Sequence, residues 1–175
     1  MKVKLISYSK PTESISNDGI DNAQELVAFC ARVSNPSNQL NTETSEKLIN
    51  YLIKNAHWSP LEMVSACLEI ETTRDIARQI LRHRSFSFQE FSQRYANPVE
   101  DLEFVIREAR LQDPKNRQNS INTDNEKIIE EWEQMQSEVI DKAKEVYNWA
   151  IENDIAKEQA RSVLPEGNTV SRIYM

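Results

Sequence analysis

In 175 residues the chain has just two glycines, Gly19 and Gly167. Phosphate-cradling turns need backbone that can approach an anion without a Cβ in the way. Neither a Gly-x-Gly-x-x-Gly dinucleotide turn nor a P-loop can be built from this sequence. Any nucleotide-type ligand must therefore be held largely by side chains.

The length suits one domain, 1–175, with enough material to bury a core without disulfides or metals. A formal net charge of −7 argues against general affinity for nucleic acid polymers or anionic membranes, so an anion site must be local. The two cysteines, Cys30 and Cys67, form no Cys-x-x-Cys pair and neighbour no histidine. That argues against zinc, iron–sulfur and disulfide frameworks and points to reducing cytosol. No stretch approaches the roughly 18 apolar residues of a membrane span, so the expected location is cytoplasmic.

The elements follow from periodicity. Val3 to Tyr8 alternates weakly as a strand, and Asp21 or Asn22 can cap a helix from Ala23 to Val33. Thr42 can cap a second helix that stops near Asn55. Val64 to Thr73 alternates as a half-exposed strand, with Val64, Ala66, Leu68 and Ile70 opposite Glu69 and Glu71. Thr72 or Thr73 can cap a helix to about Arg84, carrying Arg74, Arg78 and Arg82 as a cationic stripe.

Thr123-Asp124-Asn125-Glu126 reads as a capping box for a helix reaching about Glu152, roughly 45 Å at about 1.5 Å per residue. Its Ile128, Trp132, Met135, Val139, Ala143, Val146 and Ala150 recur at spacings that suit a bundle or subunit interface as much as a core. A short helix from Ile155 to Val163 ends at Leu164-Pro165. The expected class is α+β: a central mixed or antiparallel sheet flanked by helices, one of them long.

Three segments can carry chemistry. In His57-Trp58-Ser59-Pro60-Leu61-Glu62 a capping box, with Ser59 at N-cap and Glu62 at N3, accounts for half the residues. The alternative is a helix start whose free amides, histidine and hydroxyl face a ligand. Arg82-His83-Arg84 packs three cationic or near-cationic groups together, a repulsion that a bound anion or a carboxylate would relieve. If Ser85 to Tyr95 is extended, Glu90, Ser92 and Arg94 share one side. Such a trio can hold the phosphate of a nucleoside monophosphate, or simply satisfy itself as an ion pair. Spacing alone leaves the two readings level.

Arg82-His83-Arg84, seven residues, then Ser92 and Arg94-Tyr95 resembles the signature of flavin-dependent thymidylate synthases. Supporting matches run in order: Ala31-Arg32-Val33-Ser34, His57-x-Ser59-Pro60-x-Glu62, Arg78-Gln79, and Gln159-Ala160-Arg161-x-Val163-Leu164-Pro165. The resemblance implies methylation of deoxyuridylate (dUMP) to thymidylate (dTMP), with methylenetetrahydrofolate as carbon donor, FAD as hydride carrier and NADPH as reductant. It assigns Arg82, His83, Arg84, Ser59 and Glu90 to flavin, with Ser34, His57 and Glu62 beside them. Gln79, Arg82, Glu90, Ser92, Arg94 and Arg161 fall to deoxyuridylate, and Arg82, Glu90 and Ser92 to catalysis.

No cysteine nucleophile and no metal is implied, and the family's sites are assembled across a homotetramer. The family continues past Thr169 to Met175 through further flavin contacts and an arginine that helps ionise uracil. The expectation is therefore a chain lacking the family's C-terminal segment. Its alternative function is that of a non-catalytic or inactive homologue binding nucleotide, flavin or both.

Overall fold

A computed structural model describes every residue from Met1 to Met175. In chain order the elements are β1 (Lys2–Tyr8), α1 (Glu13–Ser16), α2 (Ala23–Ala31), α3 (Ser45–Lys54), β2 (Ala66–Thr73), α4 (Arg74–Ile80), β3 (Gln89–Glu90), α5 (Pro98–Asp101), β4 (Arg110–Gln112), β5 (Ser120–Asn122), α6 (Glu126–Glu152), α7 (Lys157–Ala160) and β6 (Val170–Tyr174). Short 3-10 turns lie at Pro36–Asn38, Ser59–Met63 and Arg161–Val163. The expected α+β class, with an antiparallel sheet and one long helix, is what the chain forms. Two compact units result: Lys4–Leu68, and Met1–Val3 together with Glu69–Met175.

In the Lys4–Leu68 unit, Asn22 caps α2 by accepting from the Glu25 amide at 3.0 Å, while Glu25 reaches back to the Asp21 amide at 2.7 Å. Val27 and Ala28 are the buried residues of that helix. The second helix, α3, starts at Ser45, not just after Thr42. Thr42 contributes only its carbonyl, to the Ser45 amide, and the Thr44 hydroxyl accepts from Arg32 at 2.8 Å instead of capping. At its far end, Ala56 has φ 55° while the His57 amide returns to the Leu52 carbonyl at 2.9 Å. This is the left-handed closure usually given to glycine.

The capping box expected at Ser59 does not form. The turn begins one residue early, with Trp58 at the cap position and the Leu61 amide on its carbonyl. Ser59 is thus inside the turn, where its hydroxyl cannot reach the third amide.

In the larger unit β6 lies between β2 and β3, antiparallel to both. Register pairs Ile70 with Ile173, Thr72 with Ser171, and Glu90 with Ile173. Alternation places these side chains on one face, and Ser171 and Ile173 there are fully buried. The opposite face carries cross-strand polar pairs: Arg172 bonds Glu71 at 2.6 and 3.0 Å, and the Tyr174 hydroxyl donates to Glu69 at 2.5 Å.

The long helix α6 is capped by Asn125, which accepts from the Ile128 amide. Thr123 was the expected cap, but its hydroxyl takes the Asn125 amide in the turn before the helix. The buried line of α6 is also rotated from the expected one. Gln136, Ile140, Ala143, Tyr147 and Ala150 are buried, whereas Ile128, Trp132, Met135 and Val139 are exposed. Tyr147 and Ala150 form a core with Ala160 and Leu164, against which Val99, Phe104 and Ile151 pack. Gln136 stitches this helix to its unit: it accepts from the Arg107 amide and the Asn168 side chain, and donates to the Arg107 carbonyl.

Candidate functional site

The site elements radiate from α4. Its first two amides are taken by the Thr169 and Glu166 carbonyls, at 3.0 and 3.3 Å. No side-chain cap is needed, and Thr73 instead gives its hydroxyl to Asp75 at 2.5 Å. The helix stops at Ile80, well short of the expected Arg84. Arg82 and His83 turn back onto the Gln79 and Ile80 carbonyls, so the tightened turn carries Arg82 off the row of Arg74 and Arg78.

The expected stripe therefore divides. Arg74 is buried, with a side-chain exposure of 9%, and lies 3.6 Å from Glu90 and 3.8 Å from Glu166. Burial lowers its pKa, and the charge of Glu90 is the largest opposing influence. Arg78 grips Glu166 through Nε and Nη2 at 2.6–3.0 Å. That bond holds the Glu166 carboxyl below the usual carboxylate range and raises Arg78. Arg74 and Arg78 are thus both satisfied by carboxylates of the chain itself.

Arg82 and Arg84 differ. Both are exposed, and neither side chain has a hydrogen bond or ion pair within the chain. Between them His83 meets Phe86 edge-on at 5.7 Å, and Phe86 meets Phe88 at 6.4 Å. Two guanidiniums and an imidazole beside the exposed Phe86 and half-buried Phe88 rings suit a ligand with both phosphate and ring.

Glu90, Ser92 and Arg94 do not converge as a period-two trio. Extended backbone lasts only for Gln89–Glu90, and the Tyr95 and Ala96 amides close a turn on the Ser92 carbonyl. Glu90 heads to the buried face, where the Ser171 hydroxyl donates to its Oε1 at 2.9 Å. Arg94 instead pairs with Glu158 at 3.2 Å, and Arg161 Nε donates to the Glu158 carbonyl at 3.3 Å. The structure thus brings Arg94 and Arg161 together on one turn, and Arg161 is also near enough to Arg74 to depress its pKa. Gln79 is exposed and Ser92 half-buried.

Four of the flavin-side candidates, Ser34, His57, Ser59 and Glu62, belong to the Lys4–Leu68 unit, and all are exposed. Ser34 lines a cavity of about 550 Å³ with Arg32, Thr44 and Tyr51, and Tyr51 meets His57 edge-on at 6.1 Å. Another cavity, about 650 Å³, lies by Glu71, Ile76, Arg107 and Val170 and includes none of the candidates. No group of three or more His, Cys, Asp or Glu side chains is placed to hold a metal. No helix is long and apolar enough to cross a membrane.

Sequence reasoning missed Ser171 and Glu158 as partners of Glu90 and Arg94. It also missed Gln93, buried at 3% exposure with its Nε2 unpartnered inside the signature. Gln93 carried a signal, since it sits between Ser92 and Arg94. Ser171 and Glu158 lie far along the chain; Glu158 sits beside the Arg161 segment, but no spacing ties it to Arg94.

Fold and site together define an α+β chain whose candidate site is made of side chains rather than glycine-rich backbone. The family model described as thymidylate synthase complementing protein matches residues 16–175. A probable flavin-dependent thymidylate synthase of Paramecium bursaria Chlorella virus 1 is 47% identical over the whole chain, which spans 78% of that protein. The flavin-dependent thymidylate synthase of Synechocystis is 49% identical over the same extent. A crystal structure of the UMP/dUMP methylase PolB from Streptomyces cacaoi, bound with 5-Br dUMP, superposes with TM-score 0.75 at 27% identity, covering 99% of this chain and 70% of that one. The chain belongs to the flavin-dependent thymidylate synthase family.

Proposed function

We propose that the protein methylates deoxyuridylate to thymidylate, using FAD, with methylenetetrahydrofolate as carbon donor and NADPH as reductant. One observation carries the reading. In a chain of net charge −7, where Arg74, Arg78, Arg94, Arg107 and Arg172 all have carboxylate partners, Arg82 and Arg84 have none. Unpaired guanidiniums are donors without an acceptor of their own, and the pyrophosphate of a dinucleotide fits them.

Arg82, His83 and Arg84 would hold FAD; Ser34, His57, Ser59 and Glu62, which the resemblance also assigns to flavin, remain candidates for flavin contacts in their own unit. When bound, FAD supplies the hydride that completes the methyl group. Gln79, Arg82, Ser92, Arg94 and Arg161 would take deoxyuridylate, with the arginines on its phosphate. For Arg94 this means exchanging the Glu158 carboxylate for phosphate, an anion of higher charge. Glu90 lies at the junction of nucleotide and flavin.

The same reading includes a homotetramer in the cytoplasm, supported by the exposed apolar line Ile128, Trp132, Met135 and Val139 on α6. Purified protein titrated with FAD, then assayed for NADPH-dependent release of tritium from carbon 5 of deoxyuridylate, tests it. Protein that stays colourless and releases nothing sinks it. A second reading, binding without turnover, is favoured by the divergence of Ser92 and Arg94 from Glu90. Deoxyuridylate affinity with no tritium release would select it.

A further inference from the structure

We propose that Arg74 and Ser171 are positioning residues for Glu90: both contact its Oε1 and so set Oε2 as the oxygen offered to the nucleotide. This deepens the proposed function, on which it rests for the role of Glu90.

The placement begins with register. Glu90 opposes Ile173 across β3 and β6, which turns its side chain to the sheet face where Ser171 and Ile173 are fully buried. A carboxylate facing buried surface needs partners. Ser171 Oγ donates to Oε1 at 2.9 Å, and Arg74 Nη1 lies 3.6 Å from the same atom. Oε2 takes no hydrogen bond within the chain, and the Glu90 side chain keeps 24% exposure.

Arg74 is itself fixed. Its Nε faces Glu166 at 3.8 Å, and Glu166 is gripped by Arg78 at 2.6 Å. Its backbone amide is held by the Thr169 carbonyl at 3.0 Å. The alternative role for a buried arginine, direct phosphate binding, conflicts with a side chain 9% exposed whose charge is opposed by two glutamates. A two-residue strand cannot hold a long side chain in one rotamer alone, and this relay does so from outside the signature.

The test is a cycle in kcat using Ser171→Ala, Arg74→Lys and Glu90→Gln. Ser171→Ala removes only a hydroxyl. Expected is a fall in kcat of about tenfold, the loss of one hydrogen bond to a charged group. FAD uptake and KM for deoxyuridylate should change less than about twofold, because the uniform binding contacts are untouched. In the Glu90→Gln background the same substitutions should add no further loss. An equal fall in both backgrounds, no fall, or a rise in KM at constant kcat overturns the proposal. Crystal structures of the ligand-free protein read the positioning without turnover. Glu90 should occupy one rotamer in the parent and several in Ser171→Ala, and one unchanged rotamer in both overturns the proposal. Wild-type protein that binds neither FAD nor deoxyuridylate overturns the functional reading instead, and the rotamer comparison still reports on Arg74 and Ser171.

Discussion

At the scale of single residues, the difference between a paired and an unpaired arginine decides what a substitution costs. Arg82→Ala and Arg84→Ala remove no contact within the chain, so each should leave stability within about 0.5 kcal/mol. Each should nonetheless weaken FAD binding by about tenfold or more, the loss of a charge-assisted contact. Thermal unfolding alongside FAD titration separates the two effects, and unchanged FAD affinity would remove these arginines from the site. Gln136→Leu is the opposite case. It strips the acceptor from the Arg107 amide and the Asn168 side chain, and the donor from the Arg107 carbonyl. Unfolding should become about 2–4 kcal/mol easier, read as a lower denaturant midpoint. The signature arginines were legible from sequence because adjacency of like charges is a local fact. Gln136 was not, because nothing in a helical repeat announces that a glutamine will face the irregular backbone at Arg107.

The elements show where periodicity stops informing. The strand β2 and helix α2 sit close to where their patterns place them, because one buried face is enough to fix each. Strand β6 went unread: five residues ending one short of the last carry too little alternation to stand apart. Yet β6 is what turns Glu90 inward, so the site's geometry depended on the least legible element. Two helix ends use strained residues. Ala56 at φ 55° and Asp154 at φ 57° both occupy left-handed closures. Ala56→Gly should therefore stabilise the protein by about 0.5–1 kcal/mol, and Asp154→Gly by less, since aspartate tolerates this region better than alanine. Chemical denaturation of the two variants checks the order. Acid should act on the ties between elements. The Glu166 carboxyl is lowered first by its bond to Arg78, and Glu71 by its bond to Arg172. A carboxyl whose folded pKa lies below its unfolded one contributes stability above the unfolded value and loses it as pH falls through the folded one. Melting temperature should therefore decline below about pH 4.5, and Glu166→Gln should flatten part of that decline. An unaltered acid limb would show that the Arg78–Glu166 tie is not among the groups that set it.

For the whole molecule, α6 was the easiest element to find and the easiest to misorient. A 27-residue helix with apolar groups every three or four positions has two candidate lines sharing Ala143 and Ala150, and spacing cannot rank them. Packing does: Ile140 and Tyr147 go inward, because Tyr147 meets Ala160 and Leu164. The other line stays out, with Trp132 at 42%, Met135 at 59% and Val139 at 55% exposure. An apolar stripe along one long helix is a poor surface for water and a good one for a second copy of itself, since closed symmetry lets one patch serve both sides. The proposed tetramer would use it. Because this line is separate from Ile140 and Tyr147, charge can be placed there without disturbing the core. Trp132→Glu with Val139→Glu should leave helical circular dichroism intact while raising the dissociation constant of the assembly by about 100-fold or more, as buried unpaired charges do. Light scattering across a dilution series would show smaller species for the variant at concentrations where the parent stays assembled. An equal mass at every concentration would mean that the copies meet elsewhere, and the exposed line of α6 would need another explanation.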